Sequence, residues 1–258
     1  MKLHKHILLG LIPAHILFAI LAYSLPINFA TIIVAILLWI VIGGIGLDIG
    51  LHRILSHKQF IVSKPLERLI SFLGVLSLNG SPISWRALHV GYHHPYSDTP
   101  KDFHSPVNGG FFNAYVLYIN QLDKMVLRGC KELLNDKYQV FFHEYYFTII
   151  WLIVALAGLI SLPLCLALLT AMIISFHQTA IVNAMCHYEQ FGYATFETKD
   201  RSRNIKWLGY ITFGLALHNN HHMYPAAANY AMSPGEYDVG YRLAKFIGLT
   251  ENKDGKYT

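Results

Sequence analysis

Residues 27–57 read INFATIIVAILLWIVIGGIGLDIGLHRILSH, an apolar run that passes without a break into a pair of histidines, His52 and His57. A hydrocarbon core about 30 Å thick takes roughly 20 residues of helix. The part from 27 to 47 meets that requirement with no charged side chain. The stretch therefore predicts a membrane helix with two imidazoles just beyond its end.

Upstream, residues 7–25 form a second apolar run, joined to the first through Ser24-Leu25-Pro26-Ile27-Asn28. The opening MKLHKHILLG imitates a signal peptide, but the run is too long for one and lacks a cleavage site, so it reads as a retained helix. Downstream, 145–160 and 162–182 repeat the pattern around Ser161-Leu162-Pro163. The expected fold is an all-α membrane protein with four spans in two hairpins. A helical cap from 48–144 and 188–249 covers one side, and a disordered tail follows at 250–258. Residues 66–78 and 205–217 are apolar but too short to span, and read as interfacial or cap segments. The whole chain reads as a single domain.

Composition agrees. Of 258 residues 54% are hydrophobic and 14% charged, where a soluble domain carries about 25% charged residues. Lys and Arg are missing between Lys5 and Arg53 and between Lys137 and Lys199, the intervals that hold the apolar runs. All 20 of them fall in the N-terminal tail, in 48–144 or in 188–258. By the positive-inside rule those segments face the cytoplasm. The net charge of +5 is then topology; no basic run with interleaved aromatics suggests nucleic acid. Cys130, Cys165 and Cys186 have neither C-x-x-C nor framework spacing, which argues against a thiolate site or a disulfide scaffold.

Nine of the 15 histidines lie in boxes: His52 and His57; His89, His93 and His94 in HVGYHH; His187 in NAMCH; and His218, His221 and His222 in HNNHH. Nine are too many for one ion, so two ions sharing the set is the natural reading. On an α-helix, His89 and His93 share a face, as do the three of HNNHH. His52 and His57 would diverge by about 140°, and serve two ions more easily than one. Neighbours such as His93 and His94 diverge by about 100° and suit adjacent metals. The carboxylates Asp48, Asp98, Asp102 and Glu189 are near the boxes but outside them. Imidazole suits iron, zinc, copper or nickel, and spacing does not choose among them. The remaining histidines, His4, His6, His15, His104, His143 and His177, read as ordinary polar side chains, and the cluster 199–206 as a solvated surface. Asn183, one turn before His187, is a further candidate at the site.

The pieces GLHRILSHKQF, SWRALHVGYHHPYSDTPKDFHSP, NAMCHYEQFGY and HNNHHMYPAAANYAMSPGEYD resemble the integral-membrane fatty-acyl desaturases of the delta-9 type, across about 46–237. The resemblance implies two irons held by all nine boxed histidines, with Asn183 holding a metal-bound water. It implies that O2 and two electrons remove hydrogen from adjacent carbons of a saturated acyl chain. It also implies an external donor such as ferredoxin or cytochrome b5. Acyl-CoA members carry Arg-Asp where this chain has Ala87-Leu88, and paired arginines where it has Val107-Asn108. Those residues hold CoA phosphates, so lipid- or carrier-linked acyl groups are open to this chain. Gly80-Ser81-Pro82-Ile83-Ser84-Trp85 is similar to the bacterial and cyanobacterial branch. Two other readings stand beside this one: a di-iron membrane hydroxylase of alkyl, sterol or carotenoid substrates, and a non-catalytic metal-binding membrane protein.

Overall fold

The computed structural model describes residues 3–252. Its main elements are helices: α1 (Ile7–Ser24), α2 (Phe29–Ser56), α3 (Lys64–Val75), α4 (82–96), α5 (Phe111–Tyr115), α6 (Lys137–Glu144), α7 (Tyr146–Ile160), α8 (Leu162–Met185), α9 (Lys206–Ile211), α10 (His218–Met223) and α11 (Val239–Phe246). Shorter helical turns fill the connections. A small antiparallel ladder pairs β1 (Phe60–Ile61) with β2 (Thr250–Glu251). The segment expected to be disordered therefore starts as a strand, and Asn252 adds a backbone bond to Gln59; 253–258 lie outside the described residues.

Among the described residues three helices, α1, α2 and α8, are long and apolar enough to cross a membrane. The expected third span differs. Helix α7 has 15 residues and meets α6 at a bend of 75°, so a fourth crossing exists only if the bent pair is one span. Tyr145 causes the break: at φ −100°, ψ 20° it leaves the helical region. The tight turns are capped as their sequences suggest. Asn28 accepts from the Thr31 N–H at 2.9 Å, and Ser161 from the Leu164 N–H at 3.2 Å, each satisfying an orphan donor of a helix start.

Helix α8 is the central post. Of its apolar window 78% is buried, against 28% for α1, which lies at the edge. Ala14, Leu21, Ile150, Val154, Leu169 and Met172 pack between α1, α7 and α8. The outward side chains of α1 and α2 include Ile16, Ile20, Ile33 and Leu37. Such a surface is unfavourable in water and is what a lipid solvent requires.

Helix α2 continues past the expected end at 47 to Ser56, and from Ile40 to Ser56 it is π-helical. Glycine lets α3 cross it closely: a Cβ on Gly46 would stand 2.5 Å from the Leu73 carbonyl carbon. The π ladder bonds residue i to i+5 and so brings residues five apart onto one face. The His57 N–H bonds the His52 carbonyl at 3.1 Å. A second π turn, His89–His93, lies within α4 and bonds the His94 N–H to the His89 carbonyl. The expectations that His52 and His57 diverge, and that His89 pairs with His93, assumed α geometry and fail for that reason.

The two short apolar segments fold against the cap. In α3, Ile70 and Val75 are buried while Leu66 and Leu69 are exposed. The segment 205–217 is a helix only to Ile211. Phe213 (φ 53°) and Gly214 (φ 90°) turn the chain back so that Leu217 bridges Asn204.

Candidate metal centre

All nine boxed histidines meet at the ends of α2 and α8, in two groups. The first contains His52, His57, His89 and His221. The Nε2 atom of His94 joins it, 3.1 Å from that of His89 and 3.0 Å from that of His221. His52 and His221 approach through Nε2 to 3.1 Å, and His57 and His89 to 2.8 Å. The second group contains His93, His187, His218 and His222. Here Nε2 of His187 and His218 stand 3.0 Å apart, as do those of His93 and His222. The adjacent pairs His93-His94 and His221-His222 are thus divided between the groups. His221 leaves the other two histidines of its box, contrary to the reading of HNNHH as one face.

These distances test the fit of a metal. Neutral imidazoles carry one N–H each, so rings converging through the same nitrogen cannot all be hydrogen-bonded to one another. Metal–nitrogen bonds are about 2.1 Å, which places ligands at right angles about 3.0 Å apart. The observed spacing matches that arrangement. Burial lowers the pKa of His57 and His93 to about 3. It holds His89, His94, His218 and His221 well below the ordinary histidine range. All six are neutral at physiological pH, the form that binds metal. His187 is the exception. Burial opposes its charge, but its hydrogen bond and attraction to Asp98 raise its pKa.

Carboxylates orient the second group. Asp98 bonds His187 Nδ1 at 3.0 Å, Asp102 bonds His93 Nδ1 at 3.0 Å, and Asp200 bonds His222 Nδ1 at 2.6 Å. The fourth ring, His218, reaches the Leu215 carbonyl at 3.3 Å. Such partners fix ring orientation and raise ligand basicity. Asp200 was hidden in the 199–206 cluster. That segment is not uniformly solvated: Lys199 and Arg201 face out, while Ser202 and Asn204 are fully buried. In the first group the nearest carboxylate is Asp48, 3.7 Å from His52 Nδ1, beyond hydrogen-bond range.

Arg53, within the first box, was also missed. It is fully buried. Its Nε donates to Asp48 at 2.9 Å, its two terminal nitrogens reach Asp238 at 3.1 and 2.8 Å, and Nη1 reaches the Ala228 carbonyl at 2.6 Å. The guanidinium thereby ties the end of α2 to the loop before α11. Asparagines hold α10: Asn204 donates to Asn220 at 2.7 Å, and Asn220 donates to Glu236 at 2.8 Å. His104 is buried against Asp102 at 2.7 Å, with its ring 4.5 Å from that of His93. His177 bonds Tyr115 and His15, at 2.7 and 3.1 Å, away from the metal groups.

A chamber of about 30 Å³ touches both groups, through His52 and His89 on one side and His218 on the other, with Asn183 and Thr179 in its wall. Leu88 and Tyr118 line both this chamber and a cavity of about 280 Å³ whose wall also includes Ser81, Ser84 and His143. The two cavities therefore adjoin through these two side chains.

Membrane-spanning helices that end in a histidine-rich metal-binding cluster define a class of membrane metalloprotein. The family model "Fatty acid desaturase" matches residues 27–236. Similar curated proteins include the "sn-1 stearoyl-lipid 9-desaturase" of Synechocystis sp., 34% identical over 83% of this chain and 68% of that protein. The protein of the same description from Anabaena variabilis is 32% identical over 88% and 86%. The "Delta-9 acyl-lipid desaturase 1" of Arabidopsis thaliana is 30% identical over 87% and 75%. The chain belongs to the fatty acid desaturase family and is an oxidoreductase of that kind.

Proposed function

We propose that this chain is an O2-dependent di-iron desaturase that places a cis double bond at the ninth carbon of a saturated acyl chain carried on a membrane lipid. The observation that carries the reading is the convergence of nine imidazoles in two adjacent groups beside one chamber. The ligands are His52, His57, His89, His94 and His221 for one ion, and His93, His187, His218 and His222 for the other. Asn183 lines the chamber beside His218 and would hold a water on the second ion. Iron bound there would supply the redox chemistry and O2 activation that side chains lack. Zinc has no such chemistry. The reaction takes one hydrogen from each of two neighbouring carbons, which leave with O2, two electrons and two protons as two waters.

The protein's part is to bind, orient and exclude water. An acyl chain lying in the larger cavity and passing between Leu88 and Tyr118 brings one pair of carbons to the chamber. The lining of that cavity includes one lysine, Lys5, and two carboxylates, Asp123 and Glu144, so among the described residues it offers no cluster of lysines and arginines for a polyphosphate. That balance, with the acyl-lipid activities named for the relatives, favours a lipid ester over acyl-CoA. The distribution of Lys and Arg supports a cytoplasmic metal site in a multi-pass membrane protein.

The test is expression in a host without unsaturated fatty acids, followed by gas chromatography of its lipids and mass-spectrometric location of the double bond. A cis monoene at the ninth carbon is expected. Folded, iron-loaded protein that yields no monoene would overturn the reading, and an alcohol in its place would assign a hydroxylase.

A further inference from the structure

Two side chains in the wall of the larger cavity carry a hydrogen that the protein does not use. His143, at the end of α6, and Tyr146, at the start of α7, both line it. The bend between those helices brings them to the residues just before α4. The Ser84 hydroxyl donates to the Ser81 carbonyl at 3.0 Å, which leaves the Ser81 hydroxyl to donate to His143 Nδ1 at 2.6 Å. With Nδ1 accepting, a neutral imidazole carries its proton on Nε2, and among the described residues that N–H has no acceptor. The Tyr146 hydroxyl accepts from the Gly80 N–H at 3.1 Å. Its own hydrogen has no acceptor among the described residues, although the side chain is buried. Buried donors are normally paired, and a carbonyl oxygen entering the cavity would pair with both.

Their place along the cavity suits a particular carbonyl. Ser81, Ser84 and Leu88 share a helix face and all line the cavity, and Leu88 also lines the chamber beside the histidines. From Ser81 to Leu88 the chain is α-helical and advances about 10.5 Å. Carbon–carbon bonds of about 1.5 Å at an angle of about 111° advance about 1.25 Å each, so an extended acyl chain covers about 10 Å from its carbonyl carbon to its ninth carbon. A chain with its carbonyl beside Ser81 therefore presents its ninth carbon at the level of Leu88.

We infer that His143 and Tyr146 grip the ester carbonyl of the acyl chain, that Ser81 aims His143, and that the length of α4 between this grip and the chamber fixes the double bond by counting from the carbonyl. The inference rests on the desaturase reading and deepens it. An apolar wall lets a chain slide by one carbon at little cost, because each methylene resembles the next. A hydrogen-bonded carbonyl does not slide, since a shifted chain leaves buried donors unpaired. His143 and Tyr146 are thus specificity-determining residues, and Ser81 is a positioning residue.

Two measurements test it. The first is calorimetric binding to the detergent-purified full chain, with 1-stearoyl-lysophosphatidylcholine and its 1-O-octadecyl ether counterpart, which lacks the carbonyl oxygen. The native chain should bind the ester about tenfold more tightly, and His143→Leu and Tyr146→Phe should each narrow the ratio to about threefold or less. His143→Gln, which keeps an N–H donor, should retain more of the ratio than His143→Leu. His143→Leu carries the test alone if Tyr146→Phe, which strips the Gly80 N–H of its acceptor, does not fold. The second is double-bond location in a host without unsaturated fatty acids, fed myristate, palmitate and stearate in turn. The native chain should place the bond at the ninth carbon of all three, and His143→Leu should add neighbouring positions. Equal binding of ester and ether by the native chain, an ester preference that survives both substitutions, or a bond that keeps its distance from the methyl end overturns the inference. Binding does not depend on turnover, so the two readings fail separately. Carbonyl-dependent binding without a monoene removes the desaturase reading alone, and a monoene without an ester preference removes the grip alone.

Discussion

The two histidine groups solve the same problem by different means. The first draws five rings from three segments, and two of those segments are π-helical stretches that each present a pair five residues apart, His52 with His57 and His89 with His94. Backbone geometry aims these rings, and no carboxylate lies within hydrogen-bond range of them among the described residues. The second draws its rings from α4, from the turn after α8, and from α10, and carboxylates hold three of the four. Where helix geometry cannot aim a ring, a hydrogen bond to its far nitrogen does. The first group is therefore aimed by its backbone, and the second by carboxylates, one of which also accepts from the Arg201 backbone N–H.

The largest effects test whether both groups are needed. His57→Ala and His187→Ala should each lower desaturation by more than about 100-fold, beyond the cost of losing an orienting partner. Each should reduce bound iron from two ions per chain towards one. Turnover in His187→Ala at the native level would remove that ring from the ligand set. Next comes the support of the first group. Arg53→Met leaves Asp48 and Asp238 buried without their cation. Breaking a buried pair in this way costs about 3–5 kcal/mol, read as a lower unfolding midpoint in detergent. An unchanged midpoint would mean that helix packing alone secures the end of α2. A smaller effect belongs to the carboxylates. Asp98→Asn and Asp200→Asn should weaken iron binding or activity by about 10–100-fold, while their unfolding midpoints fall less than that of Arg53→Met. Normal iron affinity in both would erase the distinction between the groups.

Much of the centre was legible from sequence because its chemistry lies in side-chain identity: nine imidazoles in four boxes are visible without a fold. Their division was not. An α-helix and a π-helix differ by one residue in their hydrogen bonding, and that residue decides whether His89 faces with His93 or with His94. The sequence of α2 does not show which ladder it adopts, and the reading of 27–57 assumed an α-helix throughout. Asp98 and Asp200 were opaque for another reason. Asp98 meets its ring across 89 residues of sequence, and Asp200 sits among basic residues that mimic a solvated surface. The spans were readable from their apolar length, except at Tyr145, where one residue outside the helical region breaks what composition presents as a continuous approach to the membrane.

The finest test of the comparison is acid. In the metal-free protein the raised pKa of His187, due to Asp98 against the opposing effect of burial, makes its charged form stabilising. That contribution is complete below the ordinary histidine pKa of about 6.5 and is lost as pH rises through the raised value. Metal binding carries the opposite sign, because the ring must shed its proton to coordinate. As pH falls, protons therefore compete for His187 before any other ligand with a shifted pKa. His57, lowered to about 3 by burial, remains neutral over the same interval. Iron retained after desalting, followed from about pH 8 to about pH 5, should fall in two steps, with the second group emptying first. His187 lies in that group alone, so the early step should be missing in His187→Ala, which starts with the second site already weakened. A single step in the native protein, or an early step that persists in His187→Ala, would show that the two groups release metal as one unit and that the carboxylates confer no separate response.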